Sequence, residues 1–229
     1  MNAPHRTSVA EPRRTTADEP LRITLAFTGA SGMPYGLRLL ECLLAGGAEV
    51  HVIYSAAAQI VMRQECSLAL PAQPREAERV LRERCGAGAG AGEDRIVVHG
   101  RDDWLAPMAS GSNPGDGMAI CPCTMGTLGA VAGGLADNLI ERAADVMLKE
   151  RRPLVLVPRE TPLSAIHLEN MLKVTRAGAV VLPPCPGFYD GPQSIDDLVD
   201  FVVARVLDHL GVESTLGPRW GEDRRPGPL

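Results

Sequence analysis

The segment "KERRPLVLVPRETP" (149–162) sets Lys149, Arg151, Arg152 and Arg159 beside Glu150 and Glu160, around the apolar run from Pro153 to Pro158. Guanidinium and ammonium groups gathered this way hold phosphate-like anions. A carboxylate among them is the residue type that moves a proton. Arg159 and Glu160 stand where the strand must stop, between Pro158 and Pro162. In an open parallel sheet, ligands bind in the crevice beyond the carboxyl ends of the strands. The segment therefore points to an anionic ligand with acid–base chemistry at its side. Arg142 and Arg205 add further cations. Taken singly, these two and Lys149 read as solvated helix faces, whereas Arg159, held between prolines at a strand end, does not.

Three more stretches carry donors. "FTGASGMPYG" (27–36) has Gly29, Ala30, Ser31 and Gly32 between a strand and a helix, and backbone N–H groups at a helix start, with a serine hydroxyl, make an anion site. The full GxGxxG spacing is missing, and Ser55 rather than an acidic residue ends the next strand, so a mononucleotide phosphate is expected rather than a dinucleotide. "CPCTMGTLGAVAGG" (121–134) repeats the arrangement with Thr124, Met125, Gly126 and Thr127. Its small residues suit a flat ring and equally suit close helix–sheet packing. "ASGS" (109–112) offers Ser110 and Gly111 as a second nest. Cys121-Pro122-Cys123 lacks the spacer and the second pair of a metal or redox motif, so no metal is expected. His51, His167 and His209 show no ligand or His–acid spacing, and no Gly-x-Ser-x-Gly elbow occurs.

The elements that position these groups follow from periodicity. From Leu21, apolar runs of strand length ("RITLAFT", "EVHVIYS", "RIVVH", "GMAICP", 153–158, "AVVLP") alternate with amphipathic helical segments, the pattern of βαβ units around a parallel sheet. The 229 residues show no break in composition, which argues for one domain. Residues 1–20 read as a disordered extension, 21–215 as the folded domain and 216–229 as a tail. The Gly-Ala stretch at 86–92 reads as a flexible loop. Residues 100–117 form a long irregular stretch of the kind that is functional or disordered. A net charge of −5 argues against a nucleic-acid partner. No apolar run reaches membrane-spanning length, and six cysteines without an apolar leader point to free thiols in the cytoplasm.

The ordered set "TGASG", "ICPC", "NLIERAADVMLKERRPLVLVPRETP", "HLENM", "GAVVLPPCPGFYDGPQSIDDLVDFVVARVLD" and "PRWG" resembles the flavin prenyltransferases of the UbiX type, from about Leu21 to Gly221. The resemblance implies a Rossmann-like (flavodoxin-like), three-layer α/β/α domain with a mainly parallel sheet. It also implies a homo-oligomer, a dodecamer, with active sites at subunit interfaces. The implied activity moves a dimethylallyl group from dimethylallyl phosphate to N5 and C6 of reduced FMN, without a metal. The prenylated flavin goes to a UbiD-type decarboxylase, in ubiquinone biosynthesis. By position, Gly29, Ala30, Ser31, Ser55, Thr124, Met125, Gly126, Thr127 and Arg159 hold FMN. Ser110, Gly111, Arg142, Lys149, Glu160, Tyr189 and Arg205 meet the prenyl donor, with Glu160, Lys149, Arg142, Tyr189 and Glu65 as the catalytic group. Trp104 and Trp220, the two tryptophans, can face an allylic cation with an indole ring or anchor a loop and the C-terminal segment. A cysteine decarboxylase of the same fold needs a histidine and an Asn-bearing loop that have no matching position here. A non-catalytic flavin carrier leaves the cations without a task.

Overall fold

The computed structural model of the chain describes residues 19–85, 95–189 and 191–217. The readings made for residues 1–18, the Gly-Ala loop at 86–92, Trp220 and the end of the tail lie outside the described residues. The elements run β1 (Arg22–Phe27), α1 (Met33–Ala45), β2 (Glu49–Tyr54), α2 (Ala56–Cys66), α3 (Pro74–Cys85), β3 (Ile96–Val98), β4 (Gly117–Cys123), α4 (Met125–Gly133), α5 (Leu139–Lys149), β5 (Leu154–Pro158), α6 (Ala165–Ala177), β6 (Val180–Val181) and α7 (Ile195–Leu210). All six strands pair in parallel, in the order β3-β2-β1-β4-β5-β6.

Strand side chains alternate between two apolar layers. Ile23, Leu25 and Phe27 of β1, with Val50 and Val52 of β2, pack under α1, α2, α3 and α7. Ala26, Ile53, Met118, Ile120 and Leu156 point the other way, onto α4, α5 and α6. Burial on both faces is why the strands read as near-continuous apolar runs rather than alternating ones. The order in which strands are added to the sheet reverses between β1 and β4, so the crevice of this sheet opens at the carboxyl ends of those two strands.

The irregular stretch at 100–117 is ordered. It runs down the length of α5: the Leu139 N–H donates to the Arg101 carbonyl at 2.8 Å, and Arg142 Nε donates to the Ala109 carbonyl at 2.9 Å. Its own Ala106 and Met108 are buried. It ends on β1, where Asp116 accepts from the Arg22 N–H at 2.8 Å and Asn113 from the Arg22 side chain at 2.6 Å.

α1 meets the sheet through Gly36. A Cβ there would collide with the Cys121 carbonyl oxygen and stand 2.8 Å from the Phe27 ring. Gly36→Val should therefore destabilise the chain by about 3 kcal/mol, the upper range for overpacking. Urea unfolding should show this as a lower midpoint at unchanged slope; a midpoint equal to wild type would contradict this account of the packing.

Candidate functional site

Four strands deliver polar residues to the carboxyl edge of the sheet. After β1, Gly32 turns the chain with a φ of 114° and begins α1, whose own cap residue makes no side-chain hydrogen bond. The missing cap comes from α2. Glu65 Oε2 accepts from the N–H of Gly32 at 2.8 Å and of Met33 at 2.9 Å, and the Ser31 hydroxyl bonds the same carboxylate. Partial burial alone would raise the Glu65 pKa. The bonds from Ser31, Gly32 and Met33, helped by the Arg159 charge, outweigh it and hold the carboxyl below its ordinary value. The amides that the sequence offers to a phosphate at 29–32 are thus occupied by the chain's own anion. Gly29 beside them leaves room for α2, since a Cβ there would collide with Ala57.

After β2, Ser55 caps α2, its Oγ accepting from the Ala58 N–H at 3.1 Å, which leaves the hydroxyl proton to donate elsewhere. After β4, Thr124 caps α4: its Oγ1 accepts from the Thr127 N–H at 3.1 Å and donates to Thr127 Oγ1 at 3.0 Å. Among the described residues nothing accepts from the N–H groups of Met125 and Gly126. The space in front of Gly126 is open, the nearest atom to a Cβ there being Thr124 Oγ1 at 3.9 Å. This helix start, unlike that of α1, keeps free donors for an anionic or carbonyl-bearing ligand. After β5, Arg159 and Glu160 are both exposed, and Glu160 Oε1 accepts from the Thr161 N–H at 3.1 Å.

The remaining candidate residues stand elsewhere in the chain. Lys149 ends α5 and precedes β5, where it pairs with Glu150 against Gly111. Five strand residues separate that position from Arg159, about 16 Å at the usual rise per residue. Ser110, bonded to Ser112 at 2.9 Å, belongs to the same amino-edge group. Arg142 is spent on the loop and on Asp145 at 2.8 Å. Tyr189 meets the Phe201 ring edge-on at 5.7 Å between centroids. Arg205, one turn further along α7, pairs with Asp208 at 2.5 Å. Trp104 is half exposed in the loop after β3. One chain therefore brings together Ser31, Ser55, Glu65, Thr124 to Thr127, Arg159 and Glu160, and it keeps Lys149, Ser110 and Gly111 at the opposite edge of the sheet.

Cys121 and Cys123 are fully buried; burial pushes the Cys123 thiol up to about 12 and Cys121 higher still, so both remain protonated core side chains. Among the described residues no group of three or more His, Cys, Asp or Glu stands together as a metal site, and no helix is long and apolar enough to cross a membrane. His51 does have a partner that its spacing did not show: it contacts His99 at 2.8 Å, with Glu49 at 2.7 Å on its other nitrogen, and burial lowers its pKa.

The profile of the Flavoprotein family matches residues 11–207. The chain is 62% identical over 203 residues to the flavin prenyltransferase UbiX of Pseudomonas aeruginosa, a match covering 89% of this chain and 95% of that protein. It superposes with a TM-score of 0.76 on AnUbiX in complex with FMN and dimethylallyl pyrophosphate, at 42% identity over 90% of this chain and 100% of that one. A dodecameric FMN-dependent UbiX-like decarboxylase from Escherichia coli O157:H7 gives a TM-score of 0.73, at 41% identity over 87% and 99%.

The Glu65 cap has a signed pH dependence. Its pKa is lower folded than unfolded, so its stabilisation is complete above the unfolded value and is lost as pH falls through the folded one. Glu65→Gln should lower thermal stability at neutral pH by a few tenths to about 1 kcal/mol, the range for an exposed carboxylate at a helix start. The gap between the two melting curves should close in acid; a gap unchanged there would show that the charge contributes nothing.

Proposed function

The chain belongs to the Flavoprotein family, and within it to the flavin prenyltransferases of the UbiX type; from that premise we propose that it transfers a dimethylallyl group from dimethylallyl phosphate to reduced FMN. The observation that carries this reading is the end-to-end match to a flavin prenyltransferase, 62% identical over 95% of its length. The crevice supports it. Free amides at the start of α4, the hydroxyls of Ser55 and Thr127 and the exposed Arg159 form a donor set that fits a flavin and its phosphate.

Reduced FMN supplies the nucleophilic N5 and C6. The chain's residues do the rest. The cations hold the allylic phosphate and stabilise it as it leaves with the bonding electrons. Protons must be moved off the flavin as the new bonds form. Glu160 is the acid–base group at that edge, acting toward the departing phosphate or the flavin. Glu65, kept ionised by Ser31 and two amides, fixes the turn between β1 and α1 beside the crevice that would hold the flavin.

The pocket is completed by another copy of the chain. Lys149 and Ser110 lie at the amino edge, too far from Glu160 to serve the same pocket within one chain, and they enter it from a neighbouring copy. The surface supports such an assembly. α6 fully buries only Val174 and leaves Ile166, Leu168 and Leu172 at least half exposed, an apolar face of the kind that marks an interface. The assembly is read as a dodecamer, after the relative of that description. The product passes to a decarboxylase of the UbiD type, and a cytoplasmic setting agrees with six unpaired cysteines.

Protein mixed anaerobically with reduced FMN and dimethylallyl phosphate, without added metal, should yield a flavin heavier by one C5H8 unit on mass spectrometry. Unmodified FMN from active protein would overturn the reading, and parallel reactions with the diphosphate separate the two donors. Glu160→Gln should keep the fold, the assembly and FMN binding while slowing single-turnover prenylation at least tenfold, within the usual range for losing an acid–base group, about 10² to 10⁴. If the variant instead lost FMN and prenylated normally at saturating flavin, Glu160 would be a structural residue.

A further inference from the structure

Thr28, one residue past the end of β1, is 1% exposed, and with Thr24 it is one of two buried hydroxyls in a stretch that otherwise offers apolar side chains to the core. Its hydroxyl is used twice. Oγ1 donates to the Pro122 carbonyl at 2.8 Å and accepts from the Thr124 N–H at 2.8 Å, while the Thr28 N–H reaches the same Pro122 carbonyl at 3.2 Å. The location explains why a side chain is needed. The β1–β4 ladder is in register from Ile23 against Gly117 to Ala26 against Ile120, and there it stops. Pro122 brings no N–H, and on the β5 side the pairing of β4 shifts between Ile120 and Cys123. Backbone groups that a regular ladder would satisfy lose their register at this point, and a buried donor left unpaired is costly. One hydroxyl, both donor and acceptor, bridges the gap.

The bridge ends on Thr124, the cap of α4. Thr28 fixes the Thr124 backbone, the Thr124 hydroxyl fixes Thr127, and the free amides of Met125 and Gly126 lie between those anchors. We infer that Thr28 is a positioning residue for flavin binding: its buried hydroxyl sets the start of α4, across the switch point of the sheet, so that the amides of Met125 and Gly126 face the ligand. This rests on the crevice being the flavin site. At 1% exposed, Thr28 has almost no surface to offer a ligand, so its action runs through Thr124.

A packing role and a positioning role separate by substitution. Thr28→Val keeps the shape and removes the hydroxyl, whereas Thr28→Ser keeps the hydroxyl and removes the methyl group. FMN affinity is read by quenching of flavin fluorescence, melting temperature by circular dichroism, and KM for FMN and kcat by prenylation kinetics. Thr28→Val should bind FMN about tenfold more weakly, equivalent to about 1.4 kcal/mol, with KM for FMN raised and kcat at saturating flavin within threefold of wild type. Thr28→Ser should melt lower yet bind FMN within threefold of wild type. A folded Thr28→Val with wild-type affinity overturns the inference. Should the valine variant fail to fold, the Ser and Ala variants isolate the same hydroxyl, and equal FMN affinity in those two overturns it as well. Wild-type protein that binds no FMN would remove the flavin reading itself and this inference with it, an outcome distinct from either of these.

Discussion

A parallel sheet has a polarity that no side chain can cancel. Every strand here delivers its carboxyl end to one edge and its amino end to the other, and each strand-to-helix turn places its residues at the edge its strand dictates. Ser31, Ser55, Thr124 and Arg159 share an edge because they follow β1, β2, β4 and β5. Lys149 precedes β5, and Ser110 lies on the loop that leads to β4, so both belong to the other. The distribution of charge between the edges is a result of topology before it is a matter of chemistry.

Within the carboxyl edge, competition for backbone N–H groups decides which helix start can receive a ligand. α1 and α4 begin alike, with small residues after a buried strand. The difference is that α2 reaches back with Glu65 to close the first, while the cap of the second satisfies only Thr127 and leaves two amides unclaimed. A carboxylate so placed also sets the local field, and the charge of Arg159 in turn favours its ionised form.

Much of this was legible in the sequence. The alternation of apolar runs and amphipathic segments gives every helix and strand, because burial on both faces leaves a strong pattern. Gly29 to Ser31, Ser55, Thr124 and Arg159 could be placed because strand ends and helix starts carry recognisable residues. Three things were hidden. The partner of the Gly32 and Met33 amides lies 33 and 32 positions away, and no local pattern reports a contact of that kind. The loop at 100–117 looks formless because its order comes from α5 and from Arg22 rather than from its own composition. Thr28 passes as one more strand residue, since a hydroxyl replacing lost ladder bonds is visible only once the register of β1 against β4 is known. A threonine closing an apolar strand just before a glycine turn is the one signal that could have flagged it.

The separation of Lys149 from Glu160 along β5 also bears on inheritance. In the shared-pocket assembly proposed above, a lesion at the amino edge would spoil a pocket that a neighbour owns, and a lesion at the carboxyl edge would spoil the bearer's own. In a cell carrying two alleles, one damaged at each edge, mixed assemblies contain some pockets built from two sound halves and others built from two broken ones. Complementation between such alleles, and dominance of either over wild type, then depend on where along a strand the damage falls and on how many copies meet in each particle.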